Sequence, residues 1–157
     1  FSVWAMPAPD RRRGFLEVMN KLREEFGGPS FDPHVTVVGA QRLTKAQAIK
    51  PYTCRLQQVA CGKHFYQCVY MLVDPTPQVM QANLHASRCF GILENPRPYM
   101  PHLSLLYGDL SDKDKQEAKA KAEGFNHLIC NTEFEVSSFC LYRTDTEDKS
   151  LNSWEKV

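Results

Sequence analysis

A chain of 157 residues, 43% hydrophobic and 24% charged, is long enough for one domain with its own core, which excludes a disordered or fibrous protein and two large independent domains. Its net charge of +1, with both signs interspersed, excludes the broad positive field needed to hold a long nucleic acid, so a small anionic ligand fits better. No apolar run is long enough to span a bilayer.

The opening FSVWAMPAPD contains a candidate strand and lacks the basic start and long apolar centre of a signal peptide. It begins without Met, so a few residues are expected to precede it. A monomeric cytoplasmic protein with no membrane partner is the default. Arg11, Arg12 and Arg13 are expected to form a solvated turn ahead of a helix rather than a phosphate patch. That helix runs from Phe15 to Phe26, where Phe15, Leu16, Val18, Met19, Leu22 and Phe26 make an apolar stripe, and Gly27, Gly28 and Pro29 end it. Val35 to Val38 is a short strand. Thr44 caps a short helix in TKAQAIK, and two strand-like runs follow, YTCRLQQVAC and HFYQCVYMLVD. Pro75 and Pro77 introduce a helix from Gln78 to about Phe90, and ENPRP leads into a second Pro-His strand. A helix opens on Ser111 as N-cap and stops at Gly124, before strand signals in NTEFEVSSFCLYRT.

Six cysteines show no C-x-x-C pair and no zinc-finger spacing, so a structural metal is not expected. Cys68 and Cys140 read as core residues, while Cys54, Cys61, Cys89 and Cys130 are free or bridged.

Both halves read helix, His-bearing strand, helix, strand. This order predicts an α+β, bilobal duplicated fold, with two antiparallel sheets flanked by helices around a central cleft, within a single domain spanning 1–157. The His-bearing strands are nearly the same text: FDPHVTVV from Phe31 and YMPHLSLL from Tyr99. A Pro-His-aliphatic-hydroxyl-aliphatic string is expected by accident in a chain this long on the order of once in a thousand. Strand alternation sends His34 and Thr36 to one face and Val35 and Val37 to the other, and likewise His102 and Ser104 against Leu103 and Leu105. A cleft between the lobes would then hold two imidazoles and two hydroxyls. Imidazole titrates near neutrality, so one ring can accept a proton while its partner donates one, as the opening of a cyclic phosphate requires. The hydroxyls of Thr36 and Ser104 can donate to the phosphate oxygens. No carboxylate cluster accompanies them, so neither a metal nor another cofactor is expected. His64, His85 and His127 read as ordinary surface or structural histidines.

HVTV and HLSL look like the signature of the two-histidine phosphoesterase superfamily. With SVWAMP, FYQCVYMLV, PYMPHLSLLYGDL and RTDTEDKSLNSWE, nearly the whole chain resembles the plant cyclic phosphodiesterases. The resemblance implies hydrolysis of ADP-ribose 1'',2''-cyclic phosphate to ADP-ribose 1''-phosphate, downstream of tRNA splicing, and of nucleoside 2',3'-cyclic phosphates to 2'-phosphates. It makes His34 and His102 the acid–base pair and Thr36 and Ser104 the phosphate-binding hydroxyls. It adds Tyr107 near the phosphate and Tyr66 on the base or ribose side. Alternation alone puts Tyr107 on the wrong face, so the strand must bend before Gly108. For Tyr66 and Trp4, core packing is an equal alternative. The family pattern is longer after the first His strand, and its cysteine there has no counterpart here. One rival is an RNA-end-trimming phosphoesterase or exonuclease with the same four residues, which would need a basic flank. Another is a binding module, which would need no matched acid and base.

Overall fold

The computed structural model describes residues 2–38, 51–92, 98–129 and 132–157. Its eight strands are β1 (Ser2–Ala5), β2 (Val35–Val38), β3 (Tyr52–Cys61), β4 (Val69–Val73), β5 (His102–Leu106), β6 (Glu133–Val136), β7 (Phe139–Arg143) and β8 (Glu155–Lys156). Helices α1 (Pro9–Phe26), α2 (Pro77–Cys89), α3 (Asp112–Gly124), the single turn α4 (Asn126–Ile129) and a 3₁₀ turn at Phe65–Gln67 complete the described elements. The helix expected at TKAQAIK lies outside the described residues.

Helix α1 starts earlier than the apolar stripe suggests, because Pro9 occupies its first turn, where a missing N–H costs nothing. Arg11, Arg12 and Arg13 are therefore helical residues and not a turn before the helix. Of its stripe, Phe15, Val18, Met19 and Leu22 are buried, and Gly27 ends the helix at φ 74°. Thr76 caps α2 by accepting from the Val79 N–H, and Ser111 caps α3 by accepting from the Asp114 N–H, at 3.4 and 3.2 Å. HFYQCVYMLVD is not one strand, since a 3₁₀ turn at Phe65–Gln67 precedes β4. NTEFEVSSFCLYRT likewise divides at Ser137 and Ser138 into β6 and β7. Along β3, Tyr52, Cys54 and Leu56 are buried, and a register shift between Leu56 and Val59 then turns Val59 inward out of phase.

The expected two sheets are one, with strand order β6-β3-β4-β5-β2-β1-β7-β8 and every pairing antiparallel. Its centre is the Val35–Leu103 pair, which joins β2 to β5. Two short strands with apolar faces satisfy their backbone groups against each other, whereas separate sheets would leave two open edges. Val35, Val37, Leu103 and Leu105 pack in the same buried cluster as the stripes of α1, α2 and α3. Burying side chains of this size stabilises by about 1.5–3 kcal/mol each. Thr36 of β2 and His102 and Ser104 of β5 stand outside that cluster. Cys54 and Cys68 are buried, but Cys140 is half-buried and not a core residue; Cys54, Cys61, Cys68, Cys89 and Cys140 are all free thiols.

Candidate active site

Because Val35 faces Leu103 in an antiparallel pair, His34 lies opposite Ser104 and Thr36 opposite His102. The four side chains form the corners of a quadrilateral with histidines on one diagonal and hydroxyls on the other. Direct neighbours in such a ladder have Cβ atoms about 4.5–5.5 Å apart and diagonal ones roughly 7–8 Å. All four line one open cleft of about 200 Å³, together with Tyr66 and Tyr107. The six residues singled out from the sequence are thus brought to one place.

The imidazoles are held alike. His34 Nδ1 lies 2.6 Å from the Asp32 carbonyl oxygen, and His102 Nδ1 lies 2.8 Å from that of Met100. A carbonyl only accepts, so each Nδ1 carries the proton and donates it, which leaves each Nε2 for the cleft. The prolines explain why the two strings repeat. Pro33 and Pro101 restrict the preceding residue to extended backbone, which presets the carbonyl that receives Nδ1–H.

Their surroundings differ. His34 is 3% exposed, and its ring stacks on Trp4 at 3.6 Å with 5° between the planes. Trp4 also stacks on Tyr142, at 3.7 Å, from β7 on the far side of β1. Burial pulls the His34 pKa down to about 4, opposed by the Asp32 carbonyl bond and assisted by nearby His102. His102 is half-buried, with Tyr70 edge-on at 5.0 Å. Burial lowers its pKa too, opposed by the Met100 carbonyl bond.

The break in alternation lies inside β5: Ser104 and Leu106 pair with the consecutive residues Tyr70 and Val69, so Leu105 and Leu106 are both buried in the core and Tyr107 returns to the cleft side beside Ser104. Tyr107 stacks on Phe31 at 3.9 Å, and Gly108 N–H ties the end of the strand to the Phe65 carbonyl at 3.1 Å. Gly28, at φ 100°, lets the loop before Phe31 pass there, since a Cβ would lie 2.4 Å from the Tyr107 carbonyl oxygen. Burial raises the Tyr107 phenol pKa, against a hydrogen bond with Ser104. Ser104 Oγ–H donates to the Tyr66 carbonyl at 3.3 Å. Tyr66 O–H donates to the Thr146 carbonyl at 3.0 Å, which fixes its ring beside Trp154.

Sequence reasoning missed Ser2, Gln67, Thr144, Thr146 and Trp154, which also line the cleft. The i, i+2 alternation running from Tyr142 through Thr144 to Thr146 was a signal that could have found two of them. Ser2 Oγ and Thr144 Oγ1 are buried without a hydrogen-bond partner among the described residues. His64 is exposed and apart from the cleft, and His85 lies on α2 with Nε2 3.7 Å from Cys89 Sγ. Among the described residues no group of three or more His, Cys, Asp or Glu is placed to hold a metal, and no helix is long and apolar enough to cross a membrane.

A family model described as cyclic phosphodiesterase-like protein matches residues 40–156. A cyclic phosphodiesterase from Arabidopsis thaliana is 40% identical over 167 positions, covering 100% of this chain and 92% of that protein. That alignment is longer than the 157 residues here, so the Arabidopsis protein carries residues this chain lacks. A cyclic phosphodiesterase from Triticum aestivum is 33% identical over 89 residues, covering 57% of this chain and 94% of its own length. With a match to most of the chain and 40% identity over its whole length, the chain belongs to the cyclic phosphodiesterase-like family, enzymes of plants that hydrolyse cyclic phosphodiester bonds.

Proposed function

We propose that the enzyme opens ADP-ribose 1'',2''-cyclic phosphate to ADP-ribose 1''-phosphate and nucleoside 2',3'-cyclic phosphates to 2'-phosphates, by paired imidazole catalysis without a metal. The observation that carries this reading is the diagonal of His34 and His102 across one cleft. In-line displacement at phosphorus puts the attacking and leaving oxygens on opposite sides of the phosphorus, and two Nε2 atoms on a diagonal can serve both sides. Water attacks phosphorus as its proton passes to the neutral Nε2 of one histidine. The P–O bond to the ring oxygen breaks as that oxygen takes a proton from the Nε2–H of the other. Thr36 and Ser104, on the second diagonal, donate to the two non-bridging oxygens, Ser104 by turning its O–H from the Tyr66 carbonyl to the phosphate, with Tyr107 supporting Ser104. The matching bonds from each Nδ1–H to the carbonyl two residues earlier support the near-equivalence of the two corners.

Each of His34→Ala and His102→Ala is expected to lower kcat by about two to four orders of magnitude on a nucleoside 2',3'-cyclic phosphate, with chelator present throughout. Phosphorus NMR of the product identifies the bond broken. Near wild-type turnover in both variants, or dependence on added metal, would sink the reading. A substrate with sulfur in place of the leaving ring oxygen needs no acid, so it should rescue one of the two variants and not the other. Rescue of both or neither would remove the division of labour.

A further inference from the structure

The two imidazoles share one hydrogen-bonding pattern, but the carbonyls that hold them are anchored differently. On the β5 side the ladder reaches back before His102, because the Pro101 carbonyl accepts from Val73 N–H at 3.0 Å. On the β2 side the ladder with β1 stops at the Ala5–Val35 pair, so Asp32 and Pro33 lie beyond it. Side chains take over there. Asp32 Oδ1 accepts from Arg12 at 2.5 Å, and Asp32 Oδ2 accepts from Tyr142 O–H at 3.2 Å. Arg12 comes from the first turns of α1 and Tyr142 from β7, so Asp32 is clamped from two elements distant in sequence. Tyr142 reaches His34 by a second route, through the face of Trp4. Met100, the counterpart of Asp32 before His102, has an apolar side chain that cannot accept from an Arg and a Tyr in this way.

We propose that Arg12, Asp32 and Tyr142 are positioning residues that hold His34 in its Nδ1–H tautomer and aim its Nε2 into the cleft, with no equivalent for His102 among the described residues. The inference rests on the reading of His34 as a proton-transfer group. A charge-assisted clamp on a short, ladder-free segment is geometrically stiff because two acceptors of one carboxylate are spoken for. Freed from it, the Asp32 carbonyl can rotate away, and the ring loses the acceptor that decides which nitrogen carries the proton. The titratable and charged groups facing His34 are then His102 from β5, Asp32 from its own segment, Arg12 from α1 and Tyr142 from β7.

The test is nitrogen–proton correlation NMR of the two histidines across pH 4 to 8, with kcat and KM, in the wild-type protein and in Arg12→Ala, Arg12→Lys and Tyr142→Phe. In Arg12→Ala the His34 signals should show an Nε2–H population and a shifted titration while those of His102 stay in place. In the same variant kcat should fall about ten- to a hundred-fold with KM little changed. Arg12→Lys should restore most of both. Tyr142→Phe removes one hydroxyl and keeps the stack, so it reports the clamp without risk to folding and should show a smaller change of the same sign. Unmoved His34 signals in Arg12→Ala and Tyr142→Phe, or equal movement of both histidines, would overturn the proposal. So would a His34 response with unchanged kcat. If the wild-type protein turns over no cyclic phosphate while the His34 signals respond as described, the function reading fails and the clamp stands.

Discussion

At the scale of single residues, the burial of His34 has a consequence that can be measured at acidic pH. An imidazole held near pKa 4 in the folded protein titrates near 6.5 when unfolded. Between those values the unfolded chain binds a proton that the folded one refuses, so stability rises with pH in that window and is lost as pH falls from about 6.5 towards 4. The slope for one such group is about 1.4 kcal/mol per pH unit. His34→Asn should therefore flatten the dependence, and urea melts at pH 7 and pH 4.5 should differ less for the variant than for wild type. A difference as large as that of wild type would mean that His34 charges freely in the folded state. The direction of this shift was not legible in FDPHVTVV, because Trp4, which covers the ring, lies on another strand and reads equally well as core.

At the scale of elements, the segment after β7 is shaped by one carboxylate. Asp148 accepts from Ser150 N–H and Oγ–H at 3.0 and 2.5 Å, and from Ser153 N–H and Oγ–H at 2.9 and 2.6 Å. These donors hold its carboxyl far below the usual carboxylate range. Between the serines, Leu151 is buried at φ 61°, an unfavourable conformation for a branched side chain. The resulting turn presents Trp154, whose Nε1–H donates to the Asp145 carbonyl at 2.7 Å, beside Tyr66 at the cleft. Asp148→Ala should free this turn, raising KM several-fold with kcat nearly unchanged, and exposing Trp154 to acrylamide quenching. Unaltered KM and quenching would show that the turn holds itself. The stretch TDTEDKSLNSW revealed its polarity in sequence but not its partners, because an Asp-Ser-Ser cluster marks many surface turns.

At the scale of the whole molecule, one point of the sheet carries both fold and site. Leu103 is fully buried beneath the pair that joins β2 to β5, and the cleft-facing side chains of those strands stand on its opposite face. Leu103→Ala should cost about 2–5 kcal/mol by leaving a cavity, read as a lower urea midpoint. It should also lower kcat under conditions where the variant remains folded, because the histidine diagonal is set by this pairing. Full kcat in a folded variant would separate the packing from the chemistry.

Alternation along a strand is local, so the sequence alone placed His34 with Thr36 and His102 with Ser104 on polar faces and put the valines and leucines inside. The helix cap at Ser111 and the stripe of α1 were legible for the same reason, since each depends on residues within a turn or two. Which strands pair is a contest among distant segments, and only the tertiary structure decided that β2 and β5 share an edge within one sheet. That choice sets histidine opposite hydroxyl and imidazole diagonal to imidazole. The β2-β1-β7 order on the other side of β2 brings Arg12, Asp32 and Tyr142 together, three residues from three parts of the chain whose charges and rings meet only once the polypeptide has folded.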